Sequence, residues 1–415
     1  MIDEPVEGFG IEELFLSRTD GRGVILSGNS VFARLAGYGW AELIGAPHRL
    51  IRHPDMPRGV FHLLWETLKQ GRSFGGYVKN RASDGRYYWV FAVVVPVQGG
   101  YLSVRLKPST GLLAKVSDLY RAQLVAEAAG QTPAESAAAI VAAVQGLGHW
   151  DYRAFMGHAL GAEFAARDAA MGRPGNAGVS RFDEIGSLLS QLMREVALVQ
   201  DSFALIANSP ANLIILGARL KSAREPMKVV AQNYGLLADE LLRSITELAE
   251  GLEVLLRTAH DGRMGLCASF LYREAIQQYC ACETDHGAAS HDAEVEILTG
   301  ALDRFLRNAV DGVQRIGAEV GRFVHLATQL RRQVSGLAVT RVTCRIEAAA
   351  IREDTSGIDE VAVQLAIFQQ QLERALDRIY LACHGLNGRV EGSAPPDVAT
   401  ECAGRWLKAA ARLVR

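Results

Sequence analysis

A chain of 415 residues that is 49% hydrophobic and 22% charged has the make-up of a soluble globular protein with more than one domain. Its 44 Lys and Arg against 46 Asp and Glu leave a formal net charge of -2, which argues against charge-driven binding to nucleic acid or anionic lipid. No apolar run reaches the roughly 18 residues of a membrane helix, and the acidic start MIDEPVEGFG lacks the basic and apolar regions of a signal peptide. The expectation is a cytoplasmic protein without its own membrane anchor.

Residues 11 to 108 carry mixed signals. GRGVILSGN, YYWVFAVVVPV and GGYLSVRLK read as strands, the second rich in β-branched and aromatic residues. Between them NSVFARLAG, AELIGAP and MPRGVFHLLWETLKQG read as short helices, the first capped by Asn29 or Ser30. Strands at both ends with helices between predict a small α+β domain over residues 1–110. Within it, RHPDMP (52–57) sets Arg52, His53 and Asp55 among two prolines. Pro57 stands where a helix begins, so the first amides of that helix face the preceding loop and, with Arg52, form an anion-friendly corner.

From residue 113 the strand signal disappears. The Ala-rich segment to about 175 is helix-permissive and ends at the break MGRPGNAGVS, so 111–180 reads as a helical connector. A heptad seam follows at Phe182, Ile185, Leu189, Leu192, Val196, Val199, Phe203 and Ile206. After an interruption at Pro210 and REP (224–226) it resumes at Val230, Tyr234, Leu237, Leu241, Ile245, Leu248, Leu252 and Leu255. A third seam runs from Leu298 to Leu337 with a stutter-like step at Val313, and REDTSG (352–357) offers a further turn. Residues 181–415 are therefore expected to be long helices, arranged as hairpins over 182–257 and 295–386 and paired between the chains of a homodimer.

The six cysteines all lie beyond residue 266 and are expected to be reduced thiols. Cys280, Cys282, His286 and His291 match a zinc site by residue type, but their spacing fits no closed site, and no metal is expected.

GNSVFARLAGY (28–38), ELIGAPHRLIRHPDMPRGVFHLLWETLKQG (42–71), GYVKNRASDGRYYWV (76–90) and VVVPV (93–97) together resemble the flavin-binding PAS domains of bacterial aerotaxis receptors. The resemblance covers about residues 11–108 and implies a noncovalently bound FAD whose redox state reports oxygen or respiratory electron flow. It places the family's FAD-site residues at Asn29, Arg52, His53, Asp55, Trp65 and Asn80. The implied roles are polar contacts from Arg52, His53 and Asp55 at the mouth and phosphate side, an aromatic wall from Trp65, and an amide hydrogen bond from Asn80 to the isoalloxazine ring. Phe74 stands where the family usually carries tryptophan; it packs against a ring but has no N–H to donate. A haem reading through His62 stays open, whereas a flavin–cysteine adduct is set aside because the first cysteine is Cys267.

ANLIILGARLKSAREPMKVVAQNYGLLADEL (211–241) resembles a degenerate chemoreceptor signalling tip, with Gly217 and Lys221 replacing the family's Asn and Glu and the turn shortened to EP. A second stretch, 342–363, has a similar shape. The departures put docking of a chemotaxis-type kinase or coupling protein in doubt, and output through another protein partner fits better. The sequence thus predicts a non-enzymatic redox or oxygen sensor, with a cofactor-free scaffold acting on chemoreceptor arrays as the competing class. A flavoenzyme is disfavoured because G-x-G-x-x-G is missing from any strand–helix context.

Overall fold

The computed structural model describes residues 4–148, 151–206, 209–219, 224–282, 291–349 and 356–391. Its N-terminal part holds strands β1 (Leu14–Asp20), β2 (Ile25–Gly28), β3 (Phe74–Arg81), β4 (Tyr87–Val97) and β5 (Gly100–Leu106). They form one antiparallel sheet in the order β2-β1-β5-β4-β3. Between β2 and β3 lie α1 (Ser30–Ala36), α2 (Trp40–Leu43), a 3₁₀ turn at His48–Ile51 and α3 (Arg58–Lys69). Asn29 caps α1 by accepting from the Phe32 amide, and Gly37 closes the helix with φ at 67°, a conformation without strain only for glycine.

Helices α4 (Leu112–Ala128), α5 (Pro133–Gly146), α6 (Tyr152–Ala170), α7 (Ala177–Ile206), α8 (Ser209–Arg219), α9 (Arg224–Cys282), α10 (His291–Ala349) and α11 (Ser356–Glu391) follow. Thr132 and Glu135 form a capping box at the start of α5 with Pro133 at its first position, and Asp151 caps α6 through the Ala154 amide at 2.7 Å.

The chain divides into two compact units. Among the described residues the first comprises 4–183 with 260–312, and the second 184–259 with 313–391. In the first unit β4 is buried without a break from Val90 to Val95, because helices cover both faces of the sheet there. In the second, the seam residues Leu189, Leu192, Val196, Val199 and Phe203 are buried, as are Leu241, Ile245, Leu248 and Leu252 on α9 and Ile316, Val320 and Phe323 on α10. Phe203 meets Phe368 of α11 edge to face at 5.0 Å. The stutter position Val313 is only half-buried, whereas its neighbour Gly312 is buried. Pro226 falls inside the first turn of α9, and Lys221 and the turn at 350–355 lie outside the described residues. Among the described residues no helix is long and apolar enough to cross a membrane.

Candidate functional site

Cross-strand pairing assigns every strand residue to one face of the sheet. Phe15, Arg105 and Ala92 are paired across β1, β5 and β4, as are Ser17, Ser103 and Val94, while Asn80 pairs with Tyr88. These residues share the inner face, toward α1 and the 3₁₀ turn: Phe15 stacks on Phe32 at 4.7 Å, and Phe32 stacks on His48 at 6.0 Å. Arg18, Leu16, Tyr77 and Val93 alternate with them and face outward.

A buried cation stands on the inner face. Arg105 is 6% exposed, lies 4.5 Å over the Phe15 ring, and donates to Ser17 Oγ at 2.8 Å. Its Nη2 lies 3.0 Å from His48 Nε2. Burial pushes the guanidinium down to about 10, so it stays charged at neutral pH, and burial together with Arg105 pushes the His48 imidazole down to about 3. His48 is therefore neutral, and its Nε2 accepts from Arg105. No carboxylate among the described residues pairs with Arg105. On the same face Asn80 Nδ2, Tyr88 OH and Ser103 Oγ are buried without a hydrogen-bond partner among the described residues. Each such group costs about 1–3 kcal/mol if it stays unpaired, a cost that a polar, acceptor-bearing group placed on this face would relieve.

The RHPDMP loop joins the edge of the sheet here. Arg52 forms a β-bridge with Asn80, and the His53 amide donates to the Lys79 carbonyl at 3.3 Å. The Arg52 guanidinium lies 3.8 Å over the Phe61 ring and donates to the Met56 carbonyl at 3.0 Å. Burial holds it below its usual value, with Glu127 opposing that shift and Arg58 adding to it. Lys79 precedes Asn80 and so points to the other face, where it pairs with Asp55 at 2.7 Å and sits 4.3 Å over Tyr87. His53 follows it there: its Nδ1 accepts from the Asp55 amide at 3.1 Å and its ring meets Tyr87 edge-on at 6.3 Å. The loop thus straddles β3, with Asn80 inward and the Asp55–Lys79 pair outward.

The remaining expected residues stand apart from that loop. Asn29 is 5% exposed and binds backbone on both sides: Oδ1 accepts from Leu16 and Phe32 at 2.9 and 3.2 Å, and Nδ2 donates to the Leu14 carbonyl at 2.7 Å. Trp65 of α3 meets Tyr101 edge-on at 5.3 Å, and Phe74 stacks on Tyr152 of α6 at 5.8 Å. Sequence reading did not single out Ser17, His48, Tyr88, Ser103 or Arg105. Their one available signal is Arg105 itself, a charge within an otherwise apolar strand.

Helices cover the outer face through polar contacts. Arg18 of β1 binds Glu294 in the first turn of α10, Nε to its two oxygens at 2.7 and 3.0 Å and Nη2 at 2.6 Å, with Arg18 8% and Glu294 1% exposed. Tyr272 OH of α9 lies within 3.4 Å of the Val93 and Leu102 carbonyls, and Gln278 accepts from the Leu14 amide at 3.2 Å. The Glu163 carboxylate of α6 accepts from Tyr77 OH at 2.7 Å and from the Ser109 amide at 2.6 Å. In the C-terminal helices Cys280 is half-buried and His291 stacks on Tyr279 at 4.9 Å, while His286 lies outside the described residues. No metal-binding group is found among the described residues.

Five antiparallel strands with helices strung between β2 and β3 are matched by a known family: residues 25–102 fit the family described as the PAS fold. The N-terminal domain is a PAS domain. It is 41% identical over 112 residues to the aerotaxis receptor of Escherichia coli K12, covering 26% of this chain and 22% of the receptor. It is also 35% identical over 82 residues to a nitrogen fixation regulatory protein of Klebsiella pneumoniae, covering 20% of this chain and 17% of that one. A biofilm dispersion protein of Pseudomonas aeruginosa is 33% identical over 82 residues, 20% of either chain. The chain thus spans about a fifth of the length of these relatives. They are named as a receptor, a regulator and a dispersion protein, not as enzymes. The shared part is the PAS domain, a sensory module followed here by long helices.

Proposed function

We propose that the protein is a redox sensor that holds FAD on the inner face of its PAS sheet and passes the flavin's state to the helices on the outer face. The observation that carries this reading is the buried Arg105, which has no carboxylate partner among the described residues, beside three polar groups that are likewise unpaired among them. The pyrimidine rim of an isoalloxazine ring, with its carbonyl oxygens and ring nitrogens, suits a guanidinium, an amide N–H and two hydroxyls. Bound there, the flavin would supply reversible electron uptake with a change of charge on that rim.

Arg105 holds the rim in this reading, and His48, being neutral, orients the guanidinium without competing for it. Asn80 donates its free amide N–H, Trp65 supplies an aromatic wall, and Phe74 packs beside it. Arg52, with His53 and Asp55, shapes the mouth and phosphate side. Asn29 acts by fixing α1 to β1. Ser17 and Arg18 are neighbours on β1 that serve opposite faces, one accepting from Arg105 and the other paired with Glu294. A change in what Arg105 binds therefore alters the strand that anchors α10. A homodimer and a protein partner fit the second unit, where Leu236, Val339, Ile346 and Leu381 each leave more than 60% of their surface open.

The absorption spectrum of the purified full chain tests this. An oxidised-flavin spectrum that bleaches on reduction supports it. A Soret band overturns it in favour of haem, and a featureless spectrum after reconstitution with FAD overturns it in favour of a cofactor-free scaffold.

A further inference from the structure

The second unit closes on itself within one chain. Phe203 of α7 meets Phe368 of α11, and Glu195 of α7 pairs with Arg378 of α11 at 2.8 Å. Pro210 of α8 lies 3.8 Å from where a Cβ on Gly235 of α9 would stand, and Gly251 of α9 faces the Phe323 ring of α10. Arg331 of α10 pairs with Asp377 of α11 at 3.0 Å. These contacts join α7 with α8, α9, α10 and α11 into an antiparallel four-helix bundle that buries its own heptad seams. The seams, expected from sequence to pair between chains, are thus covered within one, and a second copy has only the outside of the bundle to meet.

One outer face is apolar. Val339, Val342 and Ile346 of α10 and Val363 and Ile367 of α11 leave 49–67% of their surface open. The three on α10 repeat at the three-and-four spacing of a coiled-coil seam, apart from the buried seam of Leu330, Val334 and Leu337. The Arg331–Asp377 pair, with the Arg331 guanidinium 4.9 Å over the Tyr380 ring, sets the register of the two helices. Counting outward from that pair, Val342 is level with Ile367 and Ile346 with Val363 to within one residue, so the five form one patch. Around it the charges divide by helix. Residues 320–346 carry Arg322, Arg331, Arg332, Arg341 and Arg345 with no Asp or Glu, whereas residues 359–377 carry Asp359, Glu360, Glu373 and Asp377 against Arg374. Arg322 and Arg331 have carboxylate partners, while Arg332 and Arg345 have none among the described residues.

We propose that the outer α10–α11 face is the surface on which a second copy of this chain docks, with α10 of each copy lying against α11 of the other. The inference deepens the homodimer reading above and is independent of the flavin. A two-fold axis along the bundle keeps every residue at its own height. Val342 and Ile346 then meet Ile367 and Val363 of the second copy, and the patch is buried against itself. Arg332 comes within one helical turn of the second copy's Glu373, whose Oε1 accepts only from Gln369 of its own helix among the described residues. A second copy fits better than an unrelated helix because the face carries both signs of charge, basic on α10 and acidic on α11, in the order an isologous contact pairs them.

The test is analytical ultracentrifugation of the full-length chain across micromolar concentrations, with circular dichroism to show that each variant keeps its helices. The wild type is expected to dimerise. Val342→Asp combined with Ile346→Asp replaces four apolar side chains per dimer and is expected to weaken it at least about a hundredfold. Leu198→Asp, at a position 57% exposed on α7, is expected to leave it unchanged. Arg332→Glu and Glu373→Arg are each expected to weaken it about tenfold. Combining the two in one chain is expected to restore it, because each reversed charge again faces its opposite. A monomeric wild type overturns the proposal, as does a dimer that withstands the paired aspartates or falls equally with Leu198→Asp. A double charge reversal no better than either single overturns it too. Absence of flavin from the wild type refutes the sensor reading and leaves this interface standing.

Discussion

Replacing Glu294 by alanine strands the Arg18 guanidinium on the outer face of the sheet. Arg18 is 8% exposed, and its described ion-pair partner is Glu294, itself 1% exposed. Breaking a buried pair by removing one partner costs about 3–5 kcal/mol, because the charge left behind has lost both water and counter-ion. With a guanidinium slope of about 4 kcal/mol per M, the unfolding midpoint of this unit falls by about 1 M. Tryptophan fluorescence reads that transition directly, since Trp40, Trp65 and Trp89, three of the five tryptophans, sit in the PAS domain. Arg18→Met combined with Glu294→Leu removes both charges and is expected to regain most of the loss, giving a coupling energy of about 2 kcal/mol or more. A midpoint shift for the single variant below about 0.2 M, or a double variant no better than the single, refutes the view that this ion pair fastens α10 to β1.

Arg105→Met keeps the stack on Phe15 but removes the guanidinium, so flavin retained through purification is expected to drop at least tenfold. Asn80→Ala and Arg52→Ala should each lower it less, as read from the ratio of flavin to protein absorbance. Unchanged flavin content in all three would remove the inner-face assignment. His48 gives a pH signature. Its folded value near 3 lies below the unfolded 6.5, so the unfolded chain takes up a proton that the folded chain refuses. Its contribution is present above about pH 6.5 and is lost as pH falls toward 3. Between pH 7.5 and 5 the wild type is therefore expected to lose about 2 kcal/mol more stability than His48→Gln in denaturant titrations; parallel losses would show that His48 protonates freely.

Strands β2, β4 and β5 were legible because runs such as YYWVFAVVVPV have nothing to do but bury themselves. β1 and β3 were harder to see. LFLSRTD and FGGYVKNR carry Arg18, Lys79, Arg81 and a Gly-Gly pair that break the apolar pattern, and the group that makes Arg18 tolerable, Glu294, lies 276 residues on. The heptad seams were readable for the opposite reason: their spacing alone forces one apolar stripe inward. Pro57 correctly marked the start of α3, but local sequence could not say which anion would meet it, since Glu127 arrives from another helix. Residues 113–175 had no role beyond connection in the sequence, yet α4 and α5 cap and cover α3, and α6 binds the outer face through Glu163 and the segment before β1 through Arg167. Arg105 escaped notice because a charge alternating with apolar residues is the ordinary mark of a strand with one wet face. Here both faces are dry.

Because Arg18, Leu14 and the carbonyls of Val93 and Leu102 take their partners from residues 272–294, the PAS domain of this chain is not a cassette that can be cut out at its sequence borders. A fragment ending near residue 110 would expose a sheet face carrying a bare guanidinium and unpaired backbone groups. A chimaera that grafts another protein's PAS domain onto these helices must bring matching groups for Glu294, Tyr272 and Gln278. The portable piece is discontinuous, residues 1–183 together with 260–312, and transplantation should follow that outline.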